Sequence, residues 1–348
     1  MSIPAKAEAA RTFGCSRIDV MLSRSAEGLF WMSRYLERAG HVCRLLASQF
    51  EAFEDSQTDE IDTNWRRIYL ALGRTPFGGG FINDDKSDDF MLTDSFTLAD
   101  DWTFENTNPD SLRSCISAAR ENARQVRNVI GKDLWECLNT AYLEIADVSG
   151  IESIWNNHPR EFYRKTSDRL RTIAGINDGN CYRDHSWHFM QLGLFVERAQ
   201  LISSFVMAQL NLFETANQNA ESYWRSLLAN CEARSAFQRC HSFNYSPNRV
   251  VDFLVCDPLL PFSTRYSLSR IAASLDEVSH DSRQPIAELA NSRTKALIDR
   301  IDRDWQHKND GDQATLEALT DIYESCLALH NDIGAAYFHY DIPSALPS

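Results

Sequence analysis

The sequence lacks the features that mark several large classes of protein. No CxxC pair occurs among its nine scattered cysteines, which argues against a disulfide framework and favours reduced thiols in the cytoplasm. No apolar run approaches the ~20 residues of a membrane span, and the first 20 residues have no hydrophobic signal segment. Neither a dinucleotide-binding GxGxxG nor a nucleophile GxSxG is found. We therefore expect a cytoplasmic protein with no cofactor and no membrane partner.

Basic charge is also scarce. The 348 residues include 35 Lys and Arg against 49 Asp and Glu, giving a net charge of -14. A general nucleic-acid binder needs a basic face, so the balance argues against that class. Hydrophobic residues make up 43% of the chain, enough for a sizeable core.

Strand-like alternation is rare, whereas apolar residues recur every three or four positions, as on one face of a helix. This pattern predicts an all-α protein, a large helical bundle. The predicted helices are 22–54, 60–73, 109–130, 132–148, 160–174, 185–215, 220–240, 263–277, 284–307 and 313–340. Asn108 is the expected cap of the third helix, with Pro109 in its first turn.

Residues 73–107 have no lasting period and contain three consecutive glycines at 78–80. These glycines lack the GK[ST] of a phosphate loop, so we expect a long surface loop with at most a short helix. Residues 1–20 are expected to be a disordered extension and 341–348 a tail. Between them, 21–340 is predicted to be one domain.

Two related segments contain the triplet Glu-Arg-Ala. One reads LFWMSRYLERAGHVCRLL from Leu29, and the other reads FMQLGLFVERAQLISSF from Phe189. Each has an aromatic residue two positions before the Glu and an aliphatic residue one before it. The 160-residue spacing suits a duplicated helical half. We predict two related halves, at about 21–150 and 151–340, each built on a long helix with this motif.

The first of these helices has a polar stripe beside its apolar seam, formed by Arg34, Glu37, Arg38 and His41 at i, i+3, i+4 and i+7. A carboxylate there could bind a metal, act as a base or hold an ammonium group. The alternative is an ion-pair network that fixes the packing of the helices.

The helix after Asn108 has a second stripe, made of Arg113, Arg120, Arg124 and Arg127 with Glu121 alongside, and its last three arginines lie at i, i+4 and i+7. Three guanidiniums this close need neutralising anions. Two sources are open: carboxylates within the protein, or a phosphate or carboxylate ligand that Arg grips with two hydrogen bonds. The internal carboxylates that could serve are Glu37, Glu121, Glu136 and Glu197.

A metal site is not expected. A di-iron bundle needs a Glu from two helices and Glu-x-x-His from two more. Here His41 follows Glu37 at i+4, and Leu201 follows Glu197. His185 and His188 supply at most half a site.

Taken together, these segments resemble the alpha-E domain family, a bacterial family of uncharacterised helical proteins. The resemblance lies in MLSRSAEGLFWMSRYLERA from Met21, NPDSLRSCISAARENARQVRNVI from Asn108, LWECLN from Leu134, WHFMQLGLFVERA from Trp187 and DPLLPFSTRYSL from Asp257. It covers nearly the whole chain after the first 20 residues. Two departures affect the second copy, which has Gly193-Leu194-Phe195 before the Glu and Gln200 after the triplet.

The resemblance implies a role, because members are typically encoded beside, or fused to, circularly permuted ATP-grasp proteins and transglutaminase-like proteins. It suggests an accessory or substrate-binding protein for ATP-dependent amide or peptide bond formation, with an ATP-grasp amidoligase as partner and a peptide or amino acid as ligand. The family positions correspond here to Arg34, Glu37, Arg38, Arg120, Glu121, Arg124, Arg127, Glu197 and Arg198. Two alternatives stay open: an enzyme with Glu37 or Glu197 as general base and an arginine anion clamp, and a purely structural helical scaffold.

Overall fold

The computed structural model describes residues 23–52, 58–75, 95–147, 154, 159–215, 220–279, 285–305 and 312–338. These residues form helices and connecting turns without a strand, which confirms the all-α prediction. The helices are α1 (Ser23–Ala52), α2 (Thr58–Ala71), α3 (Ser95–Thr103), α4 (Leu112–Gln125), α5 (Arg127–Ile130), α6 (Lys132–Ala146), α7 (Pro159–Asn180), α8 (His185–Thr215), α9 (Ala220–Asn230), α10 (Arg234–His241), α11 (Pro247–Cys256), α12 (Thr264–Ser279), α13 (Pro285–Asp304) and α14 (Asp312–Tyr337).

The helices with the Glu-Arg-Ala triplets, α1 and α8, pack against each other at the centre of the molecule. Most residues of helix α8 are buried by the surrounding helices. This burial explains why apolar side chains occur around most of its circumference. Contacting residues keep a nearly constant offset, from Arg34 with Glu197 to His41 with Phe205, so the two helices run in the same direction.

Gly193 allows the close approach of these two helices. A Cβ atom at this position would lie 2.1 Å from the carbonyl oxygen of Phe30 on α1, far inside contact distance. The first departure of the second copy, Gly193-Leu194-Phe195, thus includes the residue on which the packing of α1 on α8 depends.

Each central helix belongs to a group of four helices. Helix α1 contacts α4 and α7, and α6 lies between those two. In the same way α8 contacts α12 and α14, and α13 lies between them. The predicted duplication, with halves at about 21–150 and 151–340, stays a prediction, but the two groups have matching neighbour relations.

Three details of the helix prediction were wrong. The predicted helix 220–240 is interrupted at residues 231–233, where Glu232 adopts a left-handed φ of 50°. Helix α11 was not predicted, although Ser246 followed by Pro247 is a typical helix start. The cap of α4 is Ser111, whose side chain accepts a 3.1 Å hydrogen bond from the backbone of Ser114.

Asn108 has a different role from the one expected, because its side chain accepts a 3.0 Å hydrogen bond from the backbone of Asp110 in the turn before Ser111. The short helix allowed within 73–107 is found as α3. The glycines at 78–80, the extension 1–20 and the tail 341–348 lie outside the described residues.

Candidate functional site

The two Glu–Arg pairs meet in the interface between α1 and α8. Arg198 donates hydrogen bonds of 2.8 Å from Nε and Nη2 to the two carboxylate oxygens of Glu37. In the opposite sense, Arg38 Nε donates a 2.6 Å hydrogen bond to Glu197 Oε1. Each copy of the motif therefore gives its acid to the arginine of the other copy. The paired, charge-assisted geometry fixes the register of the two helices.

A third arginine completes the coordination of Glu197. Arg34 Nε donates a 2.6 Å hydrogen bond to Glu197 Oε2, so both oxygens of this buried carboxylate are engaged. The other two nitrogens of Arg34 contact Gln200 Oε1 and His330 Nδ1, each at 2.8 Å. Because a guanidinium only donates, Nδ1 of His330 is the acceptor and its proton lies on Nε2. Gln200, the second departure from the family pattern, is thus an internal partner of Arg34.

Both central carboxylates are held in the charged form. Burial by itself raises the pKa of Glu37, but the charge and hydrogen bonds of Arg198 outweigh burial and hold the pKa below its ordinary value. Burial likewise raises the pKa of Glu197, and Arg34 and Arg38 outweigh it. A general base at neutral pH needs a raised pKa. The surroundings of Glu37 and Glu197 instead lower the pKa of both carboxylates.

The nearby histidines are held neutral. Burial, with the charge of Arg44, lowers the pKa of His41 to about 3. Burial, with the charge of Arg34, lowers the pKa of His330 to about 4. Neither ring adds a positive charge to the cluster near pH 7.

A cavity opens beside the Glu37–Arg198 pair, which we call the inner cavity. It has a volume of about 260 Å³ and lies between α1, α7 and α8, with Phe262 on one side. A larger depression, the outer groove, has a volume of about 980 Å³ and continues along α1 and α7 toward α9. Their walls have four residues in common, Arg44, Ser167, Arg171 and Glu232.

Arg44 stands at the junction of the two cavities. Its side chain is only 14% exposed, and its closest carboxylate oxygens are 3.9 Å away in Glu37 and 4.0 Å away in Glu232. Among the residues that the structure describes, no acceptor lies within hydrogen-bond distance of its Nε. The guanidinium lies 4.8 Å from the ring centre of Phe262. This arginine is therefore less well neutralised than its neighbours.

The charges of the cluster do not balance around Arg44. Arg38 also pairs with Asp110, at the start of α4. Three carboxylates thus face four guanidiniums in this interior: Glu37, Asp110 and Glu197 face Arg34, Arg38, Arg44 and Arg198. Glu232, at the cavity junction, also lies 4.0 Å from Arg44.

Glu232 sits in the turn that ends α9. The backbone N–H of Glu232 bonds to the carbonyl of Ala229 at 3.0 Å, and that of Ala233 bonds to the carbonyl of Leu228 at 2.8 Å. This is a Schellman turn with Glu232 at the left-handed position, where glycine is usual. A side chain there costs roughly 1–2 kcal/mol. The turn points the carboxylate at Arg171, with a hydrogen bond of 3.1 Å.

The loop between α11 and α12 closes the site from the other side. Asp257 Oδ1 accepts hydrogen bonds from the backbone of Leu259 and Leu260, at 2.8 and 2.9 Å, which holds the loop in one shape. Pro261 then accepts a 3.2 Å hydrogen bond from Arg198 through its carbonyl. Phe262 lies 4.1 Å from the Arg198 guanidinium, measured to its ring centre.

The predicted arginine stripe of α4 does not join this cluster. Arg120 packs against α6, with its guanidinium 5.6 and 4.9 Å from the ring centres of Trp135 and Tyr142. Arg124 is exposed and pairs at 2.6 Å with Glu121 on its own helix. Of the internal carboxylates expected to neutralise this stripe, Glu121 does so for Arg124, whereas Glu37, Glu136 and Glu197 pair elsewhere, because the α4 stripe faces α6 and the surface.

Helix direction explains the separation. Asp110 at the start of α4 meets Arg38, whereas Val126 at the end of α4 lies beside Gly28 of α1. The end of the stripe thus lies near the start of α1, where Gly28 is about 14 Å along the helix axis from Glu37. Arg127 is exposed at that end. Glu136, the other expected neutraliser, faces Lys132 at 3.6 Å.

Sequence reasoning missed three residues of the cavity walls. Arg44 lies seven residues after Glu37 on the same helical face, so a longer reading of the first polar stripe would have included it. Arg171 and Glu232 come from distant segments, and no local signal connects them to Glu37.

Over the described ranges, no group of three or more His, Cys, Asp or Glu side chains could hold a metal ion. His188 Nδ1 lies 3.4 Å from Ser274 Oγ. None of the helices that the structure describes is both long enough and apolar enough to span a bilayer.

The fold and the site define a class: an all-helical protein whose two central helices are joined through reciprocal Glu–Arg pairs. The chain belongs to the Alpha-E family, described as a predicted alpha-helical domain with a conserved ER motif, whose model matches residues 21–338. The paired residues Glu37-Arg38 and Glu197-Arg198 are the two Glu-Arg sequences of the central helices.

Relatives in mycobacteria are longer proteins. The chain is 24% identical over 321 residues to an uncharacterised protein of Mycobacterium bovis and, likewise, to one of Mycobacterium tuberculosis. The alignments cover 86% of this chain and 34% of each relative, so the chain spans about a third of their length. No solved structure matches the chain.

Proposed function

We propose that the protein is a binding module that works with an amide-bond-forming ligase of the ATP-grasp type and holds a peptide or amino-acid substrate for it. The observation that carries the proposal is the inner cavity. It is lined by both signs of charge, from Glu37, Arg44 and Arg198, and it opens into a groove of about 980 Å³. Zwitterionic amino acids and peptides have ends that complement such a surface.

The family resemblance suggests the partnership with a ligase, and the length of the relatives is compatible with it. The family that the sequence resembles is typically found beside or fused to ATP-grasp proteins. In the mycobacterial relatives, the matched segment is 34% of a longer chain, so most of each relative lies outside it. A module that acts next to other domains would be expected in such an arrangement.

The state of the two acids favours a binding module over a separate enzyme. Glu37 and Glu197 are saturated by arginines, and their pKa values are lowered, whereas a general base needs the reverse. The Glu–Arg pairs build the frame, and the cavity beside them holds the ligand. A purely structural scaffold would share the frame but has no use for the cavity.

The test combines association and activity. The full chain is mixed with a purified ligase of the ATP-grasp type, and complex formation is followed by light scattering. ATP-dependent amide formation is then measured with and without the chain. We expect a complex and a faster reaction. A chain that neither associates nor alters the rate would exclude the proposal.

A bulky substitution in the cavity wall provides the specific variant. Ala174 lies on α7 and lines the inner cavity, so Ala174→Trp should fill it while the frame stays intact. Gly179 on the same helix has open surroundings, so Gly179→Trp is the matched control. Stimulation should be lost in the first variant and kept in the second.

A further inference from the structure

We propose that Arg44 binds the carboxylate of the ligand, that the rest of a peptide-like ligand lies in the outer groove, and that Glu232 is a built-in anion that competes for the same place. The inference rests on the proposed function, from which the peptide-like class of the ligand is taken. Neither Arg44 nor Glu232 was among the family positions.

Arg44 is the arginine of the cluster with unused hydrogen-bonding capacity. It is 86% withdrawn from solvent, yet its two carboxylate neighbours stay at 3.9 and 4.0 Å, beyond hydrogen-bond distance. The buried Nε of Arg44 has no acceptor among the described residues, which is costly, and a carboxylate presented edge-on would satisfy Nε and a neighbouring Nη donor at once. The site therefore suits an anionic ligand, because the protein's own carboxylates, Glu37 and Glu232, stay at 3.9 and 4.0 Å from Arg44.

The neighbouring arginines are already engaged. Arg198 gives two hydrogen bonds to Glu37, and Arg34 and Arg38 each give one to Glu197. An anion entering the inner cavity would find its donors on Arg44.

A carboxylate fits these surroundings better than a phosphate. Glu37 and Glu232 flank Arg44 on both sides, so a ligand with nearly two negative charges would be repelled more strongly than one with a single charge. The inner cavity, at about 260 Å³, is below the usual volume for a whole small-molecule ligand. It therefore accommodates a terminal group rather than a complete peptide.

The outer groove suits the remainder of the ligand. Phe96 is an exposed aromatic residue of its wall, Phe50 and Tyr163 are almost fully buried there, and charged residues of α7 lie along it. Its volume of about 980 Å³ is at the upper end of the range for ligand sites. A chain with apolar side groups and polar amides complements such a surface.

Glu232 is placed to compete with the ligand. Its left-handed backbone fixes the direction of the side chain, and its Oε1 atom faces both Arg171, at 3.1 Å, and Arg44, at 4.0 Å. Removal of its charge would leave Arg44 more attractive to an incoming carboxylate. Glu232→Gln should therefore tighten binding, an effect that a merely structural residue would not have.

The experiment measures binding of acetylated tripeptide pools to the full chain by equilibrium dialysis. One pool has free C-terminal carboxylates, a matched pool has carboxamides, and inorganic phosphate is the third probe. We expect retention of the carboxylate pool, with at least about tenfold weaker binding for Arg44→Lys, the loss expected for charged hydrogen bonds. Glu232→Gln should bind the same pool several-fold more tightly. Arg124→Lys, remote from the cavity, is the matched control and should bind like the wild type.

Other outcomes separate the inference from the proposed function. Equal retention of carboxylate and carboxamide pools, or preference for phosphate, would overturn the carboxylate assignment. Weaker binding by Glu232→Gln would mean that Glu232 contacts a cationic group of the ligand, which contradicts competition. A chain that binds the pools but leaves the ligase unaffected supports the carboxylate site and contradicts the proposed function. A chain that stimulates the ligase without binding the pools does the reverse.

Discussion

Glu37 of α1 accepts two 2.8 Å hydrogen bonds from Arg198 of α8. In the opposite sense, Arg38 of α1 donates a hydrogen bond to Glu197 of α8. Because the two helices run in the same direction, equivalent residues of the two motifs face one another. The Glu of each Glu-Arg sequence can then accept hydrogen bonds from the Arg of the other sequence. The motif is thus explained as a reciprocal connection between two helices, with ligand binding assigned to the cavity beside it.

Replacement of Glu197 should destabilise the fold strongly. Glu197→Ala leaves the buried guanidinium of Arg34 and the partly buried one of Arg38 without their main anion, a loss of about 3–5 kcal/mol in the free energy of unfolding. Urea denaturation measures it. Glu121→Ala, which breaks an exposed pair with Arg124, is the control and should leave the midpoint unchanged. Equal effects of the two substitutions would contradict the buried network.

The close approach of α1 and α8 gives a second prediction. Gly193→Ala places a methyl group 2.1 Å from the carbonyl oxygen of Phe30, so the helices must separate, at a cost of about 3 kcal/mol or more. Gly175→Ala on α7 meets nothing within 4 Å and should instead stabilise by about 0.5–1 kcal/mol. In thermal unfolding, the midpoint temperature should fall for Gly193→Ala and rise for Gly175→Ala, relative to the wild type. A harmless Gly193→Ala would exclude the packing described.

His330 gives the protein a predictable pH dependence. Its pKa in the folded state is lowered to about 4 by burial and Arg34, from an ordinary value of 6.5. Between these values the unfolded chain binds a proton that the folded chain does not, so the free energy of unfolding decreases as the pH falls from 6.5 to 4. His41, with a pKa lowered to about 3, acts in the same direction over a wider range.

His330→Asn tests this dependence, because an amide oxygen can replace Nδ1 as the acceptor for Arg34 but does not titrate. The loss of stability between pH 7 and pH 5 should be smaller in the variant than in the wild type, as measured by urea denaturation at both values. Between pH 7 and pH 8 the difference between the two proteins should stay constant. An unchanged loss at pH 5 would show that His330 is protonated in the folded protein.

The left-handed turn at Glu232 can be tested by two substitutions that both remove the carboxylate. Glu232→Gly relieves the backbone strain and Glu232→Ala does not, so the glycine variant should be more stable by about 1 kcal/mol. Because the ion pairs with Arg171 and Arg44 are lost in both, the comparison isolates the backbone. Calorimetric unfolding of the two variants is the measurement, and a more stable alanine variant would contradict the left-handed conformation.

Much of the frame could be predicted from the sequence because helical periodicity is a local property. The apolar seams located both central helices, and the repeated triplet indicated that Glu37 and Glu197 belong together. The identity of each partner could not be predicted. It depends on the relative direction of α1 and α8 and on an offset set by Gly193, which are properties of the packing.

The parts of the site that escaped prediction share a physical cause. The stripe of Arg120 and Arg124 has the same spacing as a binding stripe, but α6 supplies aromatic partners that no local pattern reveals. The break before Ala233 was missed because Glu232 occupies a position where glycine normally gives the signal. Arg44 was not singled out, because the sequence does not show that its Nε lacks a hydrogen-bond acceptor among the described residues.

The most direct test of the account is a double-mutant cycle on Glu37 and Arg198. Unfolding free energies are measured for the wild type, Glu37→Gln, Arg198→Gln and the double variant. Reciprocal pairing predicts that the two substitutions are strongly non-additive, with a coupling energy of about 1–3 kcal/mol, because either one alone breaks the same ion pair. Additive effects within about 0.3 kcal/mol would contradict the account, because they would mean that the two Glu–Arg motifs do not hold the central helices together.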